Sequence, residues 1–197
     1  KEAESLYIEV LTLSKEILGE DHPSTLSRMY NLAGIYNSQR QYEKAGLLYA
    51  DTLSLRREIL GEKQPRTLAS MGMLALTYTN LGRYKDAEPL YAELLSLEKE
   101  VRGEKHPLTL ASMHNLALTY TNLGRYNDAE ILYLETLDKK KEALGEKHPD
   151  TLASMHNLSN VYLNQGRYNE SILLLLETLT LRAETLGEKH PDTLLSM

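Results

Sequence analysis

Five glycines fix what this chain can fold into. Gly19, Gly61, Gly103, Gly145 and Gly187 recur every 42 residues, each followed four residues later by a proline (Pro23, Pro65, Pro107, Pro149 and Pro191). A period of this length signals stacked supersecondary units, each burying its apolar face against its neighbours. The expected product is a strip of core extended along the array, not one round domain. The sequence therefore speaks clearly about architecture and about a surface, and says little about the ligand.

The unit from Gly103 to His148 shows how each repeat is built. Pro107 can open a helix, because its missing N–H falls where no intrahelical partner exists. Asp150 and Asp192 put negative charge near the positive end of the helix dipole in later units. The first helix is expected to run to about Asn122, with a left-handed turn at Gly124, matched by Gly82 and Gly166. Arg40 occupies that position in the first unit and should strain the turn. The second helix is expected from near Tyr126 to about Leu144, roughly 27 Å at 1.5 Å per residue. Pro89 falls in the second turn of its helix, removes one hydrogen bond and should bend it slightly.

The core face follows from helical spacing. Met113, Leu116, Ala117 and Tyr120 share one face, repeated at Met29, Leu32, Ala33 and Tyr36, then Met71, Leu74, Ala75 and Tyr78, then Met155, Leu158, Ser159 and Tyr162. Ala129, Leu132, Tyr133 and Leu137 should face back from the second helix, with Ala117 and Ala129 allowing close approach.

The run Leu116-Ala117, Tyr120, Gly124-Arg125-Tyr126, Ala129 and Tyr133 resembles the tetratricopeptide repeat, in the 42-residue form typical of kinesin light chains. The Leu-Gly-Glu-Lys-His-Pro connector and Ala87-Glu88-Pro89-Leu90 are similar to that type as well. Arrays of this length also occur in nephrocystin-3-like proteins and in sensors that pair a nucleotide-binding domain with repeats. The resemblance implies an all-α fold, a right-handed α-solenoid of antiparallel helix pairs. It divides the chain into the second helix of a repeat (1–18), four repeats (23–60, 65–102, 107–144 and 149–186) and the start of another (191–197). It implies a non-catalytic protein-interaction module of cytoplasmic location, acting as an adaptor scaffold. The alternatives are a regulatory sensor array and a self-associating scaffold, the latter because Leu6, Val10 and Leu13 at one end and Leu194 and Leu195 at the other want cover. End-to-end contact between copies is the corresponding expectation.

Charge narrows the partners. A net charge of −6 disfavours a general binder of nucleic acid or of anionic membranes. No apolar run approaches the roughly 20 residues of a membrane span, and no signal peptide is expected from the opening residues. The absence of cysteine removes disulfides and thiolate metal sites and fits a reducing compartment. The one basic run, Lys139-Lys140-Lys141, reads as the solvated face of a helix.

A polar stripe on the first helices is the candidate partner site. Asn115 and Asn122 lie two turns apart with Leu118 between them; Asn157, Asn160 and Asn164 repeat the pattern, and Asn31 and Asn80 are its earlier members. A carboxamide offers both a donor and an acceptor, matching the N–H and C=O of an extended peptide. Asparagine inside a helix costs about 0.5 kcal/mol against alanine, so its recurrence on one face asks for a reason. The plain alternative is that these side chains end helices or bond across repeats. In related repeats groove asparagines hold peptides, which carries over to Asn31, Asn115 and Asn157, with Met73 breaking the column. His114 and His156 flank the stripe, and with an ordinary pKa of about 6.5 they would attract acidic peptides when protonated.

Chemistry is not expected. His22, His106, His148 and His190 occur once per repeat, and repeats stack roughly 10 Å apart, too far for one zinc ion with ligands at about 2.1 Å. Accepting a hydrogen bond at the helix start is their expected role. Ser112 and His114, like Ser154 and His156, are two residues apart on a helix, about 200° around it, and cannot pair. No phosphate loop is present. No cofactor and no metal are expected.

Overall fold

The computed structural model describes residues 2–188 and 190–194; nothing is described of the side chains of residues 2–5 and 192. Asp192 and Leu195, used above as sequence landmarks, therefore lie outside the described side chains. The described residues form helices and contain no strand. They fall into two compact units, residues 1–97 and 98–197.

Unit 1 contains α1 (Glu2–Leu18), α2 (Pro23–Ser38), α3 (Tyr42–Leu60), α4 (Pro65–Asn80) and the first part of α5 (Tyr84–Arg102). Leu11, Leu26, Met29 and Leu32 form a buried cluster against which Tyr36, Leu48 and Leu55 pack. Ala33 and Ala45 are fully buried, as close helix approach requires. On α1 the buried side chains are Leu11 and Ser14, while Leu6, Val10, Leu13 and Ile17 are exposed.

Unit 2 contains the rest of α5, then α6 (Pro107–Asn122), α7 (Tyr126–Leu144), α8 (Pro149–Asn164), α9 (Tyr168–Leu186) and α10 (Pro191–Leu194). Ala117, Ala129, Tyr133, Leu137, Leu152, Met155, Leu158 and Val161 make one core cluster, with Tyr120, Leu132 and Tyr162 at its edge. Burying each large side chain of this kind stabilises by about 1.5–3 kcal/mol.

Two devices set the helix ends. The connector histidines cap the first helices: His22, His106 and His148 accept through Nδ1 from the backbone N–H of Ser24 (3.1 Å), Leu108 (3.2 Å) and Asp150 (3.2 Å). An accepting Nδ1 places the neutral ring's proton on Nε2. Threonine completes the connector, since Thr67, Thr109 and Thr151 donate to the carbonyls of Gly61, Gly103 and Gly145 at 2.8, 2.8 and 2.9 Å.

The turn inside each repeat closes on a left-handed residue. Gly124 has φ 74°, and Arg125 N–H reaches back to Tyr120 O at 2.9 Å, the helix-ending geometry that favours glycine. Arg40 takes the same conformation with φ 60°, so that turn keeps its shape and carries the strain of a side chain there. Pro89 sits inside α5, as the sequence places it.

Candidate functional site

The asparagine stripe divides into engaged and free members. In unit 2, Asn122 donates to its own helix at Leu118 O (2.8 Å) and Asn164 to Asn160 O (2.7 Å). Asn157 donates across the repeat to His114 Nε2 at 3.2 Å. The Asn115 carboxamide makes no hydrogen bond among the described residues and is half-buried, as is Asn160; Leu118 is half-buried beside them. In unit 1, Asn31 and Asn80 are exposed and their side chains also have no hydrogen-bond partner among the described residues. The ladder read from the sequence is therefore interrupted where its members turn inward or back.

Beneath Asn115 lies a cleft of about 350 Å³, lined by Pro107, Leu110, Ala111, His114, Asn115, Lys140, Leu144, His148, Asp150 and Ala153. Its floor is a closed hydrogen-bond network. Lys140 Nζ donates to Asp150 O (3.1 Å) and Ser154 Oγ (2.9 Å), Ser154 Oγ donates to Asp150 O (3.1 Å), and His114 Nδ1 lies 3.3 Å from Ser154 Oγ. Asn157 can only donate its amide proton to a bare Nε2, so the neutral His114 carries its proton on Nδ1 and donates to Ser154. The ring also meets Tyr133 edge-on, with centroids 5.6 Å apart.

Two expectations are corrected here. His114 does not titrate near 6.5: burial, followed by the nearby Lys140 charge, pushes its pKa down to about 4. His156 is lowered too, by burial and then Arg182, and its Nδ1 has no hydrogen-bond partner among the described residues. Attraction of acidic peptides by these rings near neutrality is thus removed. Nor is Lys140 solvated. It is 5% exposed, and burial lowers its pKa. Its neighbours do face outward, Lys139 pairing with Glu104 (2.7 Å) and Lys141 with Glu146 (3.1 Å). The signal was available: Tyr133, Leu137 and Lys140 follow i, i+4, i+7 on the core face.

Unit 1 has the equivalent arrangement. Arg56 donates to Arg66 O and Ser70 Oγ, both at 2.8 Å, and to Leu26 O at 3.4 Å. It packs over Tyr30, 4.8 Å from the ring centroid, and Tyr30 meets Tyr49 edge-on at 5.4 Å. A shallower cleft of about 290 Å³ lies beside Asn31 and Arg56. At the same register in unit 2, Glu98 is buried and pairs with Arg102 at 2.5 Å.

A second motif, also absent from the sequence reading, clips the hairpins. Arg83, Arg125 and Arg167 stack on Tyr78, Tyr120 and Tyr162 at 4.5, 4.3 and 4.2 Å. Each also pairs three residues on, with Asp86, Asp128 and Glu170.

Among the described residues no helix is long and apolar enough to cross a membrane. Tetratricopeptide repeat models match residues 1–58, 26–97 and 68–142, and a second such model matches 151–192. No curated protein matches the sequence. Among solved structures, a Podosopora anserina protein of the kinesin light chain type, with nearly identical TPR-like repeats, is 29% identical. The match covers 94% of this chain and 87% of that one, with a TM-score of 0.86. BtubC (BKLC) from P. vanneervenii is 24% identical over 96% of this chain and 75% of its own, with a TM-score of 0.83. A Rap protein complexed with Competence and Sporulation Factor is 14% identical over 98% and 56%, with a TM-score of 0.68, a likeness of fold. These matches make the chain an all-α solenoid of antiparallel helix pairs and support a protein-interaction scaffold, in a family that is generally non-catalytic. The chain belongs to the tetratricopeptide repeat family, in its kinesin light chain-like form.

Proposed function

We propose that this protein binds an extended peptide segment of a partner along the inner face of its first helices, as a cytoplasmic adaptor. The observation that carries the reading is the Asn115 carboxamide, half-buried above the 350 Å³ cleft and without a hydrogen-bond partner among the described residues. A polar group held in that position gains most from a ligand that supplies both a carbonyl and an N–H. Within unit 2, Asn160 extends the same donor–acceptor face, and the apolar walls at Leu110, Ala111 and Ala153 suit a side chain between backbone contacts. The repeats 107–144 and 149–186 together form this site. Asn31 and Asn80 present the same chemistry in unit 1. Net charge of −6 favours a protein segment over nucleic acid.

A peptide-responsive regulatory array is the second reading, favoured by the likeness in fold to the Rap protein bound to its factor. Both readings share one test. Extended 12-residue peptides selected by phage display on the whole chain should lose about 10- to 100-fold in affinity on Asn115→Ala with Asn160→Ala, from about 0.5–1.5 kcal/mol per hydrogen bond. Selected peptides that bind the folded double variant unchanged would move the site off this face. Contact between copies is a separate proposal, motivated by exposed Leu6, Leu13 and Leu194. Light scattering at high concentration should show a mass above the monomer, and a strictly monomeric sample overturns it.

A further inference from the structure

The second helices carry a row of apolar side chains that remain largely exposed. Leu47, Ile131 and Leu173 occupy one register of the 42-residue period, with Pro89 at the position between the first two, and are 71%, 68% and 68% exposed. The next first helix is in place after Leu47 (α4) and after Ile131 (α8), so their exposure does not come from a missing repeat. At about 100° per residue, Ile131 lies almost opposite the buried stripe of Ala129, Tyr133 and Leu137. It is also on the far side of α7 from Lys140, which forms the floor of the Asn115 cleft. Leu134 and Leu176 broaden the ridge in unit 2. Single exposed leucines need no explanation, but apolar side chains recurring at one register on a solvent face do.

Charge decides what covers it. Asp138, two turns beyond Ile131, and Glu177, one turn beyond Leu173, are exposed and make no ion pair among the described residues, whereas other carboxylates of α7 and α9, such as Glu135 and Glu170, are paired with lysine or arginine. In unit 1, Asp51 stands one turn beyond Leu47, without an ion pair among the described residues. Two copies meeting over this ridge would bring free carboxylates together, and an anionic lipid surface would be repelled. A basic partner gains both the apolar area and the charge. We propose that the outer ridge of α7 and α9, centred on Ile131 and Leu173, docks an amphipathic helix whose apolar stripe is flanked by lysine or arginine. Such a helix presents side chains at i, i+3 and i+4, matching a narrow apolar ridge with charge along its border. The surface is distinct from the peptide site above.

An 18-residue helical probe with a leucine stripe and lysine flanks tests this by fluorescence anisotropy on the whole chain. It should bind, and lose at least tenfold in affinity on Ile131→Ser with Leu173→Ser. Asp138→Asn with Glu177→Gln should weaken it several-fold and flatten its salt dependence. Asn115→Ala should leave it unchanged, which separates this surface from the groove. The proposal is overturned if a probe with glutamate flanks binds equally well, or if the folded Ile131→Ser, Leu173→Ser variant binds the lysine probe undiminished. A concentration-dependent dimer abolished by those same substitutions would also overturn it, giving the ridge to a second copy.

Discussion

The junction between α3 and α4 and the junction between α7 and α8 are built at the same register, 84 residues apart, with different chemistry. In the first, Arg56 makes three hydrogen bonds and lies over Tyr30. In the second, Lys140 makes two, and His114 stands where Tyr30 does. Both rings meet a buried tyrosine edge-on, Tyr49 or Tyr133. The first pairing attracts: a guanidinium on an aromatic face is stabilised by the ring quadrupole. The second is compatible only with a neutral imidazole, because an ammonium and an imidazolium would repel in a site that water hardly reaches. One register thus supports a junction indifferent to moderate acid and another that depends on it.

The largest effect should come from removing the cations. Arg56→Ala strips the partners from Arg66 O and Ser70 Oγ together and removes the contact with Tyr30. It should destabilise by about 3 kcal/mol, in the range for breaking buried charged hydrogen bonds. Lys140→Ala removes two bonds and should cost about 2 kcal/mol. Urea unfolding followed by circular dichroism at 222 nm measures both, the chain having no tryptophan to report. Equal losses at the two sites would mean that the number of bonds does not set the difference. A loss below about 0.5 kcal/mol at either would reduce that cation to an ordinary surface charge.

How far the sequence revealed these features depends on how local they are. Helix starts at Pro107 and Pro149, the turn at Gly124 and the capping role of His106 and His148 are written within a few residues of each other. The core face is legible because Met113, Leu116 and Ala117 repeat at helical spacing. The site was only half legible. Asn115 and Asn157 look identical in their repeats, yet one is free and the other is bound to His114, 43 residues away. That distinction depends on which side chain of the neighbouring repeat arrives opposite, and His114 meets Asn157 because the following repeat places it there. The same holds for Ser154. Within its own helix it cannot reach His156, but it lies 3.3 Å from His114. Lys140 was misread because a run of three lysines was judged by composition, although only its middle member shares the core face.

The smaller expected effect is in acid, and its sign follows from the protons. His114 is held at a pKa of about 4 in the folded chain, against about 6.5 when unfolded. Between these values the unfolded state binds more protons, so stability falls as pH drops through that window and is fully present above it. By pH 5, about 1.5 pH units below the unfolded value, the loss is about 2 kcal/mol, since each unit corresponds to about 1.4 kcal/mol. His114→Tyr combined with Lys140→Arg rebuilds the α3–α4 chemistry in unit 2 and takes away the titrating ring. Unfolding midpoints measured from pH 7 to pH 4 should fall more steeply in the unaltered chain than in this double variant. His156 is lowered as well and remains in both chains, so its contribution cancels in the comparison. Parallel slopes would show that His114 accepts its proton without disturbing Ser154, Asn157 or Lys140, and the contrast between the two junctions would then be one of geometry alone.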